Sequence, residues 1–158
     1  MRICLWFDDQ AEEAVNFYTS VFQDAEIGQI SRFGKEGFEH HYKPEGTAMA
    51  VEFSLNRMKF TALNGGPLFK FNEAVSVVVS CNTQQEIDHY WAGLTEGGEA
   101  GPCGWLKDKY GVSWQITPAI LPVYLTDKDP EKCARVRAVV FEMTKFDIEK
   151  LRQAYEGE

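Results

Sequence analysis

The sequence predicts an α+β protein made of two copies of a β-α-β-β-β unit followed by a helical tail. Three observations carry that prediction: an internal repeat, two apolar strand runs that each lead into an amphipathic helix with a capping signal, and loss of the repeat after Pro118. Shifting Phe17-Tyr18-Thr19-Ser20-Val21 forward by 73 positions lands on Tyr90-Trp91-Ala92-Gly93-Leu94, with Glu13 falling on Glu86, Ala14 on Ile87 and Glu26 on Glu99. Self-similarity at that period means one supersecondary unit written twice.

In the first copy, Ile3-Cys4-Leu5-Trp6-Phe7 is short, apolar and bounded by Asp8-Asp9, as expected of a strand largely buried in a sheet. Asp9 and Glu12 have capping-box spacing, and Ala14, Phe17, Tyr18 and Val21 recur on one helical face through Phe22. Strand patterns follow at about 26–33, 47–55 and 57–63, the last two joined by an Asn56-Arg57 turn. Asn64-Gly65-Gly66-Pro67 is a turn signal, and the stretch to Asn72 reads as the crossover between copies.

The second copy opens on the β-branched run 74–79, then Thr83 and Glu86 as a capping box and a helix carrying Ile87, Tyr90, Trp91 and Leu94. Gly97-Gly98 ends that helix, and strands at about 103–107 and 112–117 flank the turn Asp108-Lys109-Tyr110-Gly111. The caps and cores of the two copies align one residue differently, which leaves the register of each first strand open by one position. Beyond Pro118, Asp129-Pro130 starts a helix with Cys133, Val136, Val140 and Met143 on one side, and a last helix fits Asp147 to Tyr155. That apolar stripe suits packing on the sheet edge or on a partner subunit equally well. The expected division is module one at about 1–66, module two at about 72–118 and a tail at about 119–158.

With 158 residues, 44% of them hydrophobic, the chain is long enough for one domain with a real core. A net charge of −8, a pI near 4.9 and no basic cluster argue against nucleic-acid or anionic-membrane partners. Cys4, Cys81, Cys103 and Cys133 are scattered without CxxC spacing, as expected of reduced, mostly buried thiols in a cytoplasmic protein. Only Met1 and Arg2 precede the first apolar run and no small-residue cleavage site follows it, so no signal peptide or membrane span is expected.

Leu5-Trp6-Phe7-Asp8, Ala11-Glu12-Glu13-Ala14, Phe17-Tyr18, the Asn64-Gly65-Gly66-Pro67 turn, Gly104-Trp105-Leu106-Lys107-Asp108 and Gly111-Val112-Ser113-Trp114-Gln115-Ile116 together resemble the vicinal oxygen chelate superfamily, specifically its PhnB-like branch. The resemblance extends to Asp127-Lys128-Asp129-Pro130-Glu131-Lys132. It implies paired βαβββ modules forming a cupped mixed or antiparallel sheet, homodimers, and a cup that holds a divalent metal or a ligand. This branch carries the label 3-demethylubiquinone 3-methyltransferase, which meets a chemical objection. A nucleotide-like methyl donor needs a glycine-rich turn after the first strand, and here Phe7 is followed by Asp-Asp-Gln-Ala-Glu-Glu.

The resemblance also supplies a residue-level metal test. Metal-using relatives place His, Glu or Gln on the first and last strands of each module. The corresponding positions here are Ile3, Thr61, Ser76 and Gln115, with Cys4 added by a one-residue slip. Gln115 alone suits a divalent ion, so no metal and no cofactor are expected. His40-His41 lies in a polar loop, where the reading is solvent or a single substrate contact, and His89 lies on a helix surface.

Strand alternation puts Ser113, Gln115 and Thr117 on one face and Val112, Trp114 and Ile116 on the other. With Gln115 and Thr61 on the concave side and Trp114 and Phe60 toward the helices, the cup is mildly polar with aromatic walls, suited to a small organic ligand. Its candidate lining is Trp6, His41, Thr61, Phe71, Ser76, Trp105 and Gln115, each weighed against plain core packing. Glu52, Glu73, Asp108 and His41 are the candidate acid-base groups. The expected function is metal-independent binding of a small molecule by a homodimer, with no reaction assigned. The alternatives are a metal-dependent lyase, isomerase or dioxygenase, and a structural interaction protein.

Overall fold

A computed structural model describes residues 1–158, and the chain divides into two units, 1–71 and 72–158. The first runs β1 (Ile3–Phe7), α1 (Ala11–Val21), β2 (Ala25–Arg32), the short α2 (Phe38–His41), β3 (Ala48–Leu55) and β4 (Met58–Asn64). The second runs β5 (Val77–Cys81), α3 (Gln84–Thr95), β6 (Glu99–Ala100), β7 (Trp105–Lys107) and β8 (Ser113–Pro118), then α4 (Leu121–Leu125), α5 (Pro130–Glu142) and α6 (Ile148–Glu156). The sheet orders are β1-β4-β3-β2 and β5-β8-β7-β6. In both sheets the first strand pairs parallel with the last and the remaining pairs are antiparallel. The two units therefore share one connectivity, and the chain is α+β with two βαβββ modules.

In the first unit, one face of the sheet buries Leu5, Phe7, Val51, Phe53, Leu55, Phe60 and Ala62. Ala11, Ala14, Val15, Tyr18 and Val21 form the buried stripe of α1, and Tyr18 stacks on Phe53, which stacks on Phe60. Each large side chain so covered contributes about 1.5–3 kcal/mol. β1 is not buried on both faces as expected: Cys4 is exposed and Trp6 half-buried, because the helix covers one side only. The expected Asp9/Glu12 capping box is absent. The first-turn donor Ala11 N–H instead goes to Oδ1 of buried Asn64 at 2.8 Å, while Asn64 Nδ2 donates to the Ala48 carbonyl at 2.9 Å. Glu12, released from capping, makes a two-pronged ion pair with Arg32 on the edge strand β2. Asn56 and Arg57 both take positive φ, as a tight two-residue hairpin between β3 and β4 requires.

In the second unit the buried face carries Val77, Val79, Cys81, Leu106, Trp114 and Ile116, with Ile87 and Leu94 buried on α3. The Thr83/Glu86 capping box forms in both directions. The first strand begins later than expected, at Val77, because residues 73–75 are spent in a turn. β6 is a two-residue strand with no apolar signal of its own. Asp108 is 3% exposed and accepts from Tyr110 N–H at 2.9 Å, Val112 N–H at 3.0 Å and Trp114 Nε1–H at 2.8 Å. It organises the β7–β8 turn.

The tail packs on its own module. Cys103 N–H and Gly104 N–H donate to the carbonyls of Met143 and Thr144, both at 2.7 Å. Gln84 accepts from Ile148 N–H at 2.9 Å and donates to the Phe146 carbonyl at 3.1 Å. Phe146 is buried against Gly104, where an added Cβ would lie 2.6 Å from its ring. Asp129 and Asp147 cap α5 and α6, and Arg135 on α5 donates to the Ala154 and Tyr155 carbonyls at the end of α6. The unanticipated α4 joins this cluster by stacking Tyr124 on Tyr155 at 4.2 Å.

Candidate functional site

Both sheets turn one face to their helices and leave the other more polar. Alternation along β8 puts Trp114 and Ile116 in the core and Ser113, Gln115 and Thr117 on the open face. Antiparallel pairing sets Trp105 opposite Gln115 and Lys107 opposite Ser113, so β7 presents Trp105 and Lys107 on that same face. A cavity of about 380 Å³ opens there, lined by Glu73, Glu99, Trp105, Lys107, Ser113 and the Ala100–Pro102 backbone turn.

Ser113 is 1% exposed, and its Oγ is the one buried side-chain polar atom with no hydrogen-bond partner. A hydroxyl stripped of water without a replacement costs about 1–3 kcal/mol, so its position at a cavity wall calls for an explanation. Lys107 and Glu73 form an ion pair beside it. That contact holds the Glu73 carboxyl below its ordinary range and pushes the Lys107 ammonium up, with Glu99 adding to the latter.

The sequence-selected residues scatter relative to this cavity. Trp105 lines it. Gln115 and Ser76 lie next to Trp105 on the open face, joined by a Gln115 Nε2 to Ser76 Oγ hydrogen bond at 2.9 Å. Thr61 and Trp6 occupy the open face of the first unit's sheet. Trp6 Nε1 donates to the Gly66 carbonyl at 2.8 Å, its ring meets Phe69 edge-on, and Gly65 sits so close that a Cβ would lie 2.2 Å from the indole. Gly65 thus makes room for a tryptophan, and Gly66, with φ +88, shapes the turn whose carbonyl takes the indole N–H. Phe71 packs edge-on against Phe7. His41 stacks on Phe33, its Nδ1 accepts from Lys43 N–H at 2.9 Å and its Nε2 lies 3.2 Å from the Glu36 carbonyl, so both ring nitrogens are engaged inside the α2 turn. His40 and His89 are exposed.

Of the candidate acid-base groups, Glu52 pairs with Arg2 and Asp108 is occupied in the β7–β8 turn. Sequence reasoning missed Ser113, Lys107 and Glu99 as cavity residues. The alternation that selected Gln115 also pointed to Ser113, but only the pairing of β7 with β6 shows that a cavity forms beside it.

The metal positions implied by the superfamily test poorly on chemistry. The register sets Cys4, not Ile3, beside Thr61, and sets Val78, not Ser76, beside Gln115. Ile3 lies on the helix-facing side of β1. The donors offered are one thiol, one or two hydroxyls and an amide already turned to Ser76, and no three His, Cys, Asp or Glu side chains converge. That set does not fit a divalent ion, which needs several imidazole, thiolate or carboxylate ligands.

Duplicated βαβββ modules of identical connectivity, with an open sheet face in each, define a vicinal oxygen chelate protein. Within that class, the chain belongs to the 3-demethylubiquinone-9 3-methyltransferase family, whose model matches residues 1–117. It is 38% identical to the PhnB protein of Bacillus cereus, covering 75% of this chain and 98% of that one with a TM-score of 0.65. A Pseudomonas aeruginosa protein shares the fold at 17% identity, with 75% of this chain and 97% of that one covered and a TM-score of 0.59. The fosfomycin resistance protein FosX of Listeria monocytogenes does so at 18% identity, with 73% and 88% covered and a TM-score of 0.53, in a structure complexed with Mn(II) and sulfate. No curated protein matches the chain. The family match stops at 117, so α4, α5 and α6 lie beyond it. No helix is long and apolar enough to cross a membrane.

Proposed function

We propose that this protein binds a small organic molecule in the cavity on the open face of the second module, without recourse to a bound metal ion. One observation carries the reading: a 380 Å³ cavity on the open sheet face whose lining brings together Trp105 and the charged side chains of Glu73, Glu99 and Lys107. Cavities of this size with a few convergent polar groups suit small ligands. The fold supplies no reaction of its own, and the donor chemistry described above supports a metal-free site. The working unit is proposed to be a homodimer, as the resemblance to the superfamily implies.

The test is a fragment screen followed by amide and indole NMR on the full chain. Binders are expected to shift the Trp105 indole and the Ser113 and Lys107 amides together, to raise the melting temperature, and to lose both effects in Trp105→Ala. A screen in which no fragment moves those three signals sinks the proposal. Elemental analysis of protein purified without a histidine tag checks the metal-free part: about one retained ion per chain overturns it.

A further inference from the structure

The cavity residues do more than mark a site; their charges select among ligands. Two carboxylates, Glu73 and Glu99, line the cavity against one ammonium, Lys107. Lys107 is engaged by Glu73 in an ion pair and feels Glu99 as well, so the cation is already satisfied and one negative charge is left over. An incoming anion would meet that excess with no free cation to receive it. The net −8 of the chain works in the same direction at long range.

The apolar and hydrogen-bonding walls add to the discrimination. Trp105 lines the cavity with an indole, whose electron-rich face attracts cations by about 0.5–2 kcal/mol depending on desolvation. Ser113 pairs with Lys107 across β7 and β8 in the wall of the cavity, its own oxygen buried within that wall. Resting on the binding reading above, we propose that the ligand is a compact organic ammonium with an aromatic or aliphatic body, seated beside Trp105 with its charge balanced by Glu99.

Three probes of near-equal size separate the possibilities: phenethylammonium, 2-phenylethanol and phenylacetate, titrated at neutral pH into the full chain while the Trp105 indole and Ser113 amide signals are followed. Phenethylammonium is expected to bind at roughly millimolar affinity and at least about tenfold more tightly than either other probe. Glu99→Gln is expected to weaken it about three- to fivefold, with no effect on the neutral probe's weak binding beyond twofold. Added salt weakens only the ammonium. If phenylacetate or phenylethanol binds as well as the amine, the cation inference falls while the cavity stands as a binding site. If none of the three moves Trp105 or Ser113 up to about 20 mM, the ammonium inference falls, and the binding reading stands or falls separately on the fragment screen.

Discussion

Ser113 and Asp108 stand five residues apart on the same turn and strand and show two opposite fates for a buried polar group. Asp108 is surrounded by donors, two from the backbone and one from Trp114, and its burial stabilises the turn. Ser113 is buried to the same degree with nothing to bond. In the absence of ligand it is a net cost, so Ser113→Ala is expected to stabilise the free protein by about 1 kcal/mol, read as a higher urea midpoint with unchanged slope. A loss of stability instead would mean that the hydroxyl has a partner, and the argument from its isolation would fail. Trp6 and His41 illustrate the reverse lesson. Their residue types suggested ligand contacts, yet their polar atoms are bonded to the Gly66 carbonyl and to the backbone of the α2 turn.

At the scale of elements, the C-terminal helices are tied to the cavity through one loop. The segment 143–146 takes the Cys103 and Gly104 amides, and Phe146 fills the space left by the absent side chain of Gly104, one residue from Trp105. Cys103, beside Gly104, takes positive φ, a conformation that a non-glycine residue holds only with outside support. Phe146→Ala is therefore expected to cost about 3–5 kcal/mol, and Phe146→Leu about 1.5 kcal/mol or less. Beyond stability, the Ala variant should move the Trp105 indole signal in the folded protein, and the Leu variant should move it less. An unmoved Trp105 would show that the tail supports the module without shaping the cavity.

Across the whole molecule, paired carboxylates set the response to acid. Glu12 is held low by Arg32, Glu73 by Lys107, Asp88 by Lys145, Asp127 by the Tyr155 hydroxyl and Glu149 by Arg152. Each folded value lies below the ordinary 4.5 of Glu or 3.8 of Asp, so the unfolded chain binds more protons over the interval between. Their stabilisation is present in full above the ordinary values and is lost as pH falls through the folded ones. Urea midpoints are expected to be flat from about pH 7 to 5.5 and to fall toward about pH 3, less steeply in high salt because the pairs are solvent-facing. A midpoint that holds to pH 3 would show that these pairs contribute nothing measurable.

The sequence by itself determined the duplication, the main strands and long helices of each module, the faces of β4 and β8 and the family, because periodicity and capping are local properties that a chain displays without folding; the short α2 and β6 carry no such period. The Thr83/Glu86 box and the Asp129 and Asp147 caps formed where their spacing pointed. What failed were features whose partners are distant in sequence. Asn64 displaced the expected Asp9 cap across 53 residues. Strand pairing chose Cys4 over Ile3 and Val78 over Ser76. Only tertiary structure decided that the tail covers its own module, that Glu73 meets Lys107, and that Ser113 is left without a partner, because burial and the surroundings of a side chain depend on which distant segments arrive beside it.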